Sequence, residues 1–357
     1  MSAHTSSLVD SQLNGSIVVS NGSVSWERNE FFFESDGQCS KWIIYVFLLL
    51  FFFSSFVILL QCFILLCSKK NGVLSIILQL TIADTVLFPV AITELMSSYY
   101  QTWKLDTHIC VLYKGTEIFA NSLMIYLLIC LNFHVITFWN LHNLELIKNN
   151  KNPLTSFNES SSSECLVTSS ESRAINYQKR KRDVPVLFPV IFVWTLCLSL
   201  SMPNYVLSTT VEVNDQVLCL IVQNDYGKIL HSLLLMFCMG IPCVILLFSV
   251  LILIYKLIKG SQREVLTKQN EEIKSLLIAC VVLCLAYMIT SYQRHYLSLV
   301  VTIKEFFISE NHYYNTYFNV YLVMLHYCGN ILRSLMYYLV IPDVRRVVRG
   351  KFTFRST

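Results

Sequence analysis

The sequence predicts an all-α membrane protein: a seven-transmembrane helix bundle with a short amphipathic eighth helix. Three observations predict it. Seven apolar runs, near 42–68, 72–98, 107–140, 185–208, 228–258, 271–302 and 314–341, are each long enough to cross a bilayer, for which about 20 mostly apolar residues suffice. Lys and Arg gather in alternate connections between the runs. After Pro342, Arg and Val alternate before Phe352 and Phe354, a basic amphipathic pattern suited to a helix lying on the membrane surface.

Composition agrees. Of 357 residues, 54% are hydrophobic and 14% charged, with 23 Phe and 19 Tyr, far from an average soluble domain. One bundle domain over 42–341 fits, without a second sizeable soluble core. Each run is read as a helix because a backbone in lipid must satisfy its own hydrogen bonds.

Taken in order, residues 1–41 form a polar N-terminal tail with the sequons Asn14-Gly15-Ser16 and Asn21-Gly22-Ser23, expected glycan sites if the tail is lumenal. No cleavable signal peptide is evident, since the first long apolar run starts near Trp42. Lys69 and Lys70 follow the first run. The third run is followed by a long polar loop, 141–183, rich in Ser and Asn, which holds Lys148, Lys151 and Arg173 and ends in Lys179-Arg180-Lys181-Arg182. It reads as a disordered segment anchored by its basic cluster at the lipid surface, and its Ser162–Ser172 stretch has the makeup of a phosphorylation target. Lys256, Lys259, Arg263 and Lys268 join the fifth run to the sixth, and Arg345, Arg346, Arg349, Lys351 and Arg355 occupy the tail, 342–357.

All these cations fall on one side. The opposite connections are acidic, with Glu27, Glu30, Glu34, Asp36, Asp106, Glu212, Asp215, Asp225, Glu305 and Glu310. Cytoplasmic loops are the Lys/Arg-rich ones, so the N-terminus is expected outside and the C-terminus inside, in a multi-pass plasma-membrane protein. Of the 13 cysteines, Cys39, Cys110 and Cys219 fall at the outer face. A bridge between Cys110 and Cys219 would pin the loop before the fifth run over the bundle mouth, with Cys39 left over.

Several landmarks resemble the rhodopsin-like (class A) G-protein-coupled receptors, over residues 40–355. Leu80-Thr81-Ile82-Ala83-Asp84 resembles the family's Leu-Ala-x-Ala-Asp motif. Trp103 precedes Cys110 by seven residues, like the family's Trp…Cys pattern at the start of helix 3. Trp194 with Pro203 is similar to the helix 4 pair, and Pro242 to the helix 5 proline. The departures are as informative. The family's Asp-Arg-Tyr falls on His134-Val135-Ile136, Cys-Trp-x-Pro on Ala286-Tyr287-Met288-Ile289, and Asn-Pro-x-x-Tyr on Arg333-Ser334-Leu335-Met336-Tyr337. The chain thus resembles the divergent orphan members. No proline lies between Pro242 and Pro342, so the sixth and seventh runs are expected to be straighter than in typical members.

The resemblance implies roles. His134, Val135 and Tyr337 would face a G protein. Asp84 is the carboxylate that in the family holds sodium. Here the helix 7 asparagine is Arg333 and the helix 3 serine is Met124, so a bidentate Asp84–Arg333 pair would take the ion's place. The alternative is that Arg333 snorkels to the nearby interface. Glu117 matches the carboxylate of amine receptors and Tyr327 the tyrosine that braces it. With Glu94, Asn121, His231, Arg294 and His326 they outline a ligand pocket of mixed sign. An ionisable residue at bilayer depth marks function by default, but an internal ion-pair network, such as Glu117 or Glu94 with Arg294, accounts for these residues equally well.

The expected function is a receptor that transduces an unidentified extracellular ligand to heterotrimeric G proteins. The alternative is a non-coupling or decoy receptor that regulates partners, since the helix 3 and helix 7 motifs are absent. An insect-type odorant channel would place its N-terminus inside, against the charge distribution. A transporter would show internal repeats or broken helices, and neither is seen. There is no nucleophile motif, phosphate loop or His/Glu metal set, so no enzyme activity, cofactor or metal is expected. The bilayer is the one certain partner, and nucleic acid is not one. The charge asymmetry makes a direct prediction: an N-terminal epitope tag is stained on intact cells and a C-terminal tag only after permeabilisation. The reverse pattern would overturn the topology.

Overall fold

In the computed structural model, the described residues are 37–67, 72–100, 102–151, 185–213, 216–221, 225–261 and 268–293, with 296, 297, 300, 325–327, 329, 332–339, 341, 344, 345 and 347 beyond them. The sequons at Asn14 and Asn21, Arg294, most of the polar loop and most of the expected eighth helix lie outside them. The helices are α1 (Gly37–Leu66), α2 (Gly72–Tyr100), α3 (Thr107–Lys151), α4 (Leu187–Leu207), α5 (Asp225–Leu235), α6 (Ile241–Ser261) and α7 (Lys268–Tyr287); strands β1 (Ser208–Val213) and β2 (Gln216–Ile221) separate α4 from α5. The described residues form an all-α membrane bundle with one hairpin. Five helical spans among the described residues are long and apolar enough to cross a membrane, 72–94, 107–141, 187–207, 229–259 and 273–292, and 51–66 is a shorter apolar helix.

The third span, α3, is the axis of the bundle. Its middle is buried on nearly every side: Leu123, Met124, Ile125, Leu127 and Leu128 are all at most 1% exposed. Such all-round burial is what an apolar helix without a polar stripe permits. α3 also runs to Lys151, and so takes in the first eleven residues of the segment read above as a loop starting at 141. Its 45 residues span about 68 Å at 1.5 Å each, well beyond a hydrocarbon core of about 30 Å. The added stretch, Leu141-His142-Asn143-Leu144-Glu145-Leu146, contains no Gly or Pro and is rich in Leu, so nothing in it stops a helix already nucleated in the membrane.

Two further differences concern backbone regularity. The fifth and sixth runs are each interrupted by a π segment, Met236–Gly240 between α5 and α6 and Met288–Tyr292 after α7. The sixth run, expected to be straighter for want of proline, carries a π segment, a local departure from regular α-helix hydrogen bonding. It falls where the sequence register puts the family's helix 6 proline, around Ile289. Side chains take up backbone groups there. Tyr126 of α3 donates to the Phe237 carbonyl at 3.0 Å, and Thr290 donates to the Ala286 carbonyl at 2.8 Å. In α2, Pro89 is likewise accommodated within the helix, and Thr93 bonds back to the Pro89 and Val90 carbonyls at 3.0 and 2.8 Å.

At one end of the bundle, the long connection before the fifth run folds as an antiparallel hairpin, with Val213 paired to Gln216 and Thr210 to Cys219. Its first strand, Ser-Thr-Thr-Val-Glu-Val, is rich in β-branched residues. The hairpin is fastened to α3. Cys219 is disulfide-bonded to Cys110, with Cα atoms 5.6 Å apart. The Trp103 backbone N–H donates to the Val217 carbonyl at 2.7 Å, and the Val217 N–H to Thr102 Oγ1 at 3.1 Å. Trp103 is 4% exposed and its ring centroid lies 5.6 Å from that of Tyr113. Asp106 starts α3: its carboxylate accepts from the Thr107 N–H at 2.8 Å, and its carbonyl from the Ile109 and Cys110 N–H groups.

At the other end, residues 344, 345 and 347 are helical, with Val344 2% exposed and Val347 packed on the core. The hairpin's anchorage yields a prediction. Cys110→Ser or Cys219→Ser lowers surface expression and costs about 2–5 kcal/mol of stability, by analogy with native disulfides in small secreted domains. Detection of both residues as free thiols in the mature protein would contradict the bridge.

Candidate functional site

The largest fully buried side chain is Arg333, at 1% exposure. Its Nη2 lies 2.7 Å from Asp84 Oδ1, and Asp84 is 0% exposed. Its Nη1 donates to Ser291 Oγ, also at 2.7 Å. One guanidinium thus joins three elements: α2 through Asp84, the π segment of the sixth run through Ser291, and the seventh run that carries it. The pairing is single-pronged, not the bidentate one that the sequence suggested, because the second terminal nitrogen goes to Ser291. Snorkelling is ruled out in this conformation by the burial of the head group. Around the pair lie further polar groups without a hydrogen-bond partner among the described residues: Asp84 Oδ2, Ser334 Oγ, Tyr287 Oη and Tyr337 Oη. Met124, at the place of the family's helix 3 serine, is fully buried in the apolar core and has no oxygen to offer an ion.

The physics of the pair is asymmetric. Two charges brought into a low-dielectric core lose hydration that their attraction only partly returns, whereas removing one partner strands the other. The neighbouring bond to Ser291 takes up a guanidinium donor that would otherwise be unmet. Arg suits this place better than Lys because its planar fork offers donors in two directions at once.

The candidate pocket residues lie toward the disulfide end and fall into pairs. Tyr327 donates a short hydrogen bond to the Glu94 carboxylate, linking the seventh run to α2. Glu94 is 4% and His326 1% exposed, and the His326 and Tyr327 rings meet edge-on at 5.2 Å. Glu117 faces Lys114 at 3.9 Å, one turn away on α3. Tyr327 therefore braces Glu94. Asn121 Nδ2 donates to the Glu117 carbonyl at 2.8 Å. His231 Nδ1 and Asn204 Oδ1 lie 3.2 Å apart, tying α5 to α4. Pairing of Glu94 or Glu117 with Arg294 falls outside the described residues.

The three residues expected to face a G protein are placed differently. Val135 and Tyr337 are both 0% exposed and belong to the main apolar core. His134 is half-buried, and a Cβ on Gly72 would come within 2.7 Å of its ring. In this conformation only His134 has any exposed surface. Apolarity explains Val135: without a charge to keep in water, the side chain turns inward.

Sequence reasoning missed other ties. Asn132 Nδ2 donates to Ser249 Oγ at 2.8 Å and approaches Cys284 Sγ at 3.3 Å, linking α3, α6 and α7. Trp194 Nε1 donates to Gln79 Oε1 at 3.1 Å between α4 and α2. Thr116 and Tyr205 hydroxyls lie 3.1 Å apart between α3 and α4. The available signal was an amide in an otherwise apolar run, since polar side chains in membrane helices tend to bond across to a neighbour.

The family described as 7 transmembrane receptor (rhodopsin family) matches residues 172–331, which covers the fourth, fifth and sixth runs and enters the seventh. No curated protein matches the chain. The landmarks around Asp84, Trp103 and Cys110 lie outside the matched stretch, so they support the same reading independently. Over residues 172–331 the chain is thus similar to the rhodopsin-family seven-transmembrane receptors, and its described helices are those of a multi-pass membrane protein.

The central pair makes a quantitative prediction. Asp84→Asn and Arg333→Asn each impair folding or surface delivery, by about 3–5 kcal/mol if the other charge is stranded. The double variant recovers part of the loss, because neither charge then lacks its partner. The melting temperature is insensitive to sodium. Additive losses, or a sodium-dependent melting temperature, would contradict the pairing.

Proposed function

We propose that the protein is a cell-surface receptor. Its N-terminus is extracellular, it binds an extracellular ligand toward the disulfide end, and it signals to heterotrimeric G proteins at the opposite end. The observation that carries this reading is the bridge between Tyr327 and the buried Glu94. It sets a carboxylate, with His326, between two helices on the side of the bundle that the tethered hairpin crosses. Ionisable groups at that depth are costly and signify use. Glu117, Asn121 and His231 extend the polar lining, and the mixture of acid, amide and imidazole suits a ligand that presents both donors and acceptors. The role is one of binding and signalling.

A second reading has its own observation. Val135 stands where the family's arginine would engage the G protein, and it is fully buried. A receptor without that contact would regulate partners without coupling.

One experiment separates the two. G-protein activation is measured in cells for wild type and Val135→Arg, across all Gα subtypes, with and without fractions of extracellular fluid. Wild type is expected to give little ligand-free activation, and Val135→Arg to raise it. Strong wild-type activation that Val135→Arg leaves unchanged would show that this position does not matter. A well-expressed surface protein that is silent in every subtype and fraction would favour the non-coupling reading.

A further inference from the structure

Near the disulfide, α3 presents two faces. Gly115 and Thr116 meet α4: a Cβ on Gly115 would come within 2.3 Å of the Tyr205 ring, and the Thr116 and Tyr205 hydroxyls lie 3.1 Å apart. Lys114, Glu117 and Asn121 follow one another at spacings of three and four residues, so they share the face of α3 turned away from α4. Exposure falls along that face, from 28% for the Lys114 side chain and 18% for that of Glu117 to 1% for Asn121. The face thus leads from the hairpin, which the Cys110–Cys219 bridge fastens one turn above Lys114, down into the core.

Two opposite charges stand on it. Lys114 Nζ lies 3.9 Å from Glu117 Oε2, beyond hydrogen-bond distance, and 5.0 Å from the centre of the Tyr113 ring. His231 of α5 lies within electrostatic reach of both charges. So loose and part-exposed a pair adds little stability of its own. What it does set is the charge of whatever binds there. A cation that takes Glu117 is left facing Lys114, like charge against like. An anion that takes Lys114 is left facing Glu117. A ligand with one charge of each sign gives both groups a partner, exchanges one loose pair for two, and strands no charge in a half-buried site.

We infer that this face takes a small zwitterion, its ammonium group on Glu117 and its carboxylate on Lys114. The inference rests on the reading that the disulfide end binds an extracellular ligand, and narrows it to molecules of the amino-acid type, whose two charges stand a few ångströms apart as Lys114 and Glu117 do. Lys114 is then the residue that sets specificity. Without it, Glu117 would accept a simple cation; without Glu117, Lys114 would accept a simple anion.

The test uses the full chain in nanodiscs and three probes built on one aromatic frame: phenylalanine, a zwitterion; phenethylamine, its cationic counterpart; and phenylpropionate, its anionic one. The shift in melting temperature over a concentration series gives an apparent Kd for each. Wild type is expected to bind phenylalanine on the order of tenfold or more tighter than either singly charged probe, because like charges set face to face are strongly disfavoured. Lys114→Met should turn the preference to phenethylamine, and Glu117→Gln should turn it to phenylpropionate. The charge-swapped double variant, Lys114→Glu with Glu117→Lys, keeps one charge of each sign and should keep the preference for phenylalanine. A purely structural role would lower the melting temperature without ligand and leave the order of the three probes unchanged. An unchanged order in Lys114→Met and Glu117→Gln would therefore overturn the inference. So would a wild type that binds either singly charged probe as tightly as phenylalanine, a wild type that responds to none of the three, or a swapped variant without the preference. Signalling in response to extracellular fluid alongside any of these failures would keep the receptor reading and discard only the zwitterion. Tight phenylalanine binding by a protein silent in every signalling assay would keep the zwitterion and count against G-protein coupling.

Discussion

An arginine buried to 1% exposure at the centre of a membrane bundle constrains everything around it. A lone guanidinium in hydrocarbon is costly, so the bundle brings it an acid and a hydroxyl. Asp84 supplies the acid from α2 and Ser291 the hydroxyl from the sixth run. The three elements are thereby fixed relative to one another at mid-depth, where apolar side chains alone give little orientation: lipid tails are as apolar as Leu, so burial in a membrane does not by itself drive one helix against another. Directional ties elsewhere act in the same way. Asn132 gathers α3, α6 and α7, and Trp194 with Gln79 joins α4 to α2.

Five of the expected spans, those found among the described residues, were legible because they depend on one property, a long unbroken stretch of apolar residues, and composition reports that directly. Asp84 and Arg333 were legible as partners because charges so rare in a membrane helix have few ways to be satisfied. What could not be read was geometry finer than a helix. The single-pronged pairing depends on Ser291, whose hydroxyl gives no sign in the sequence of which way it points. The π segment at Met288–Tyr292 carries neither proline nor glycine to announce it. The hairpin at 208–221 had a signal, β-branched alternation around Asn214 and Asp215, that a reading intent on membrane spans passes over. The extension of α3 to Lys151 is hidden by the polar composition that residues 141–151 share with the rest of the loop. Leu144 and Leu146 kept its helix propensity high.

Val135 and Tyr337 show a different limit. Motif positions were carried over as roles, and both residues proved to be in the core. A position that in the family must carry a charge to water can, once apolar, be drawn inward by the same hydrophobic effect that packs its neighbours. The seventh run departs in the same direction: the asparagine and proline of the family motif are replaced by Arg333 and Ser334, and Arg333 now makes a bond to the sixth run. Loss of one set of polar contacts and gain of another are parts of a single rearrangement around Asp84.

The most direct test of the account is a high-resolution experimental map of the full chain prepared in sodium-containing buffer. The account predicts continuous density for the Arg333 guanidinium between Asp84 and Ser291, with no ion in contact with either Asp84 oxygen. Density for Arg333 directed toward the interface, with a cation coordinated by Asp84, would contradict it.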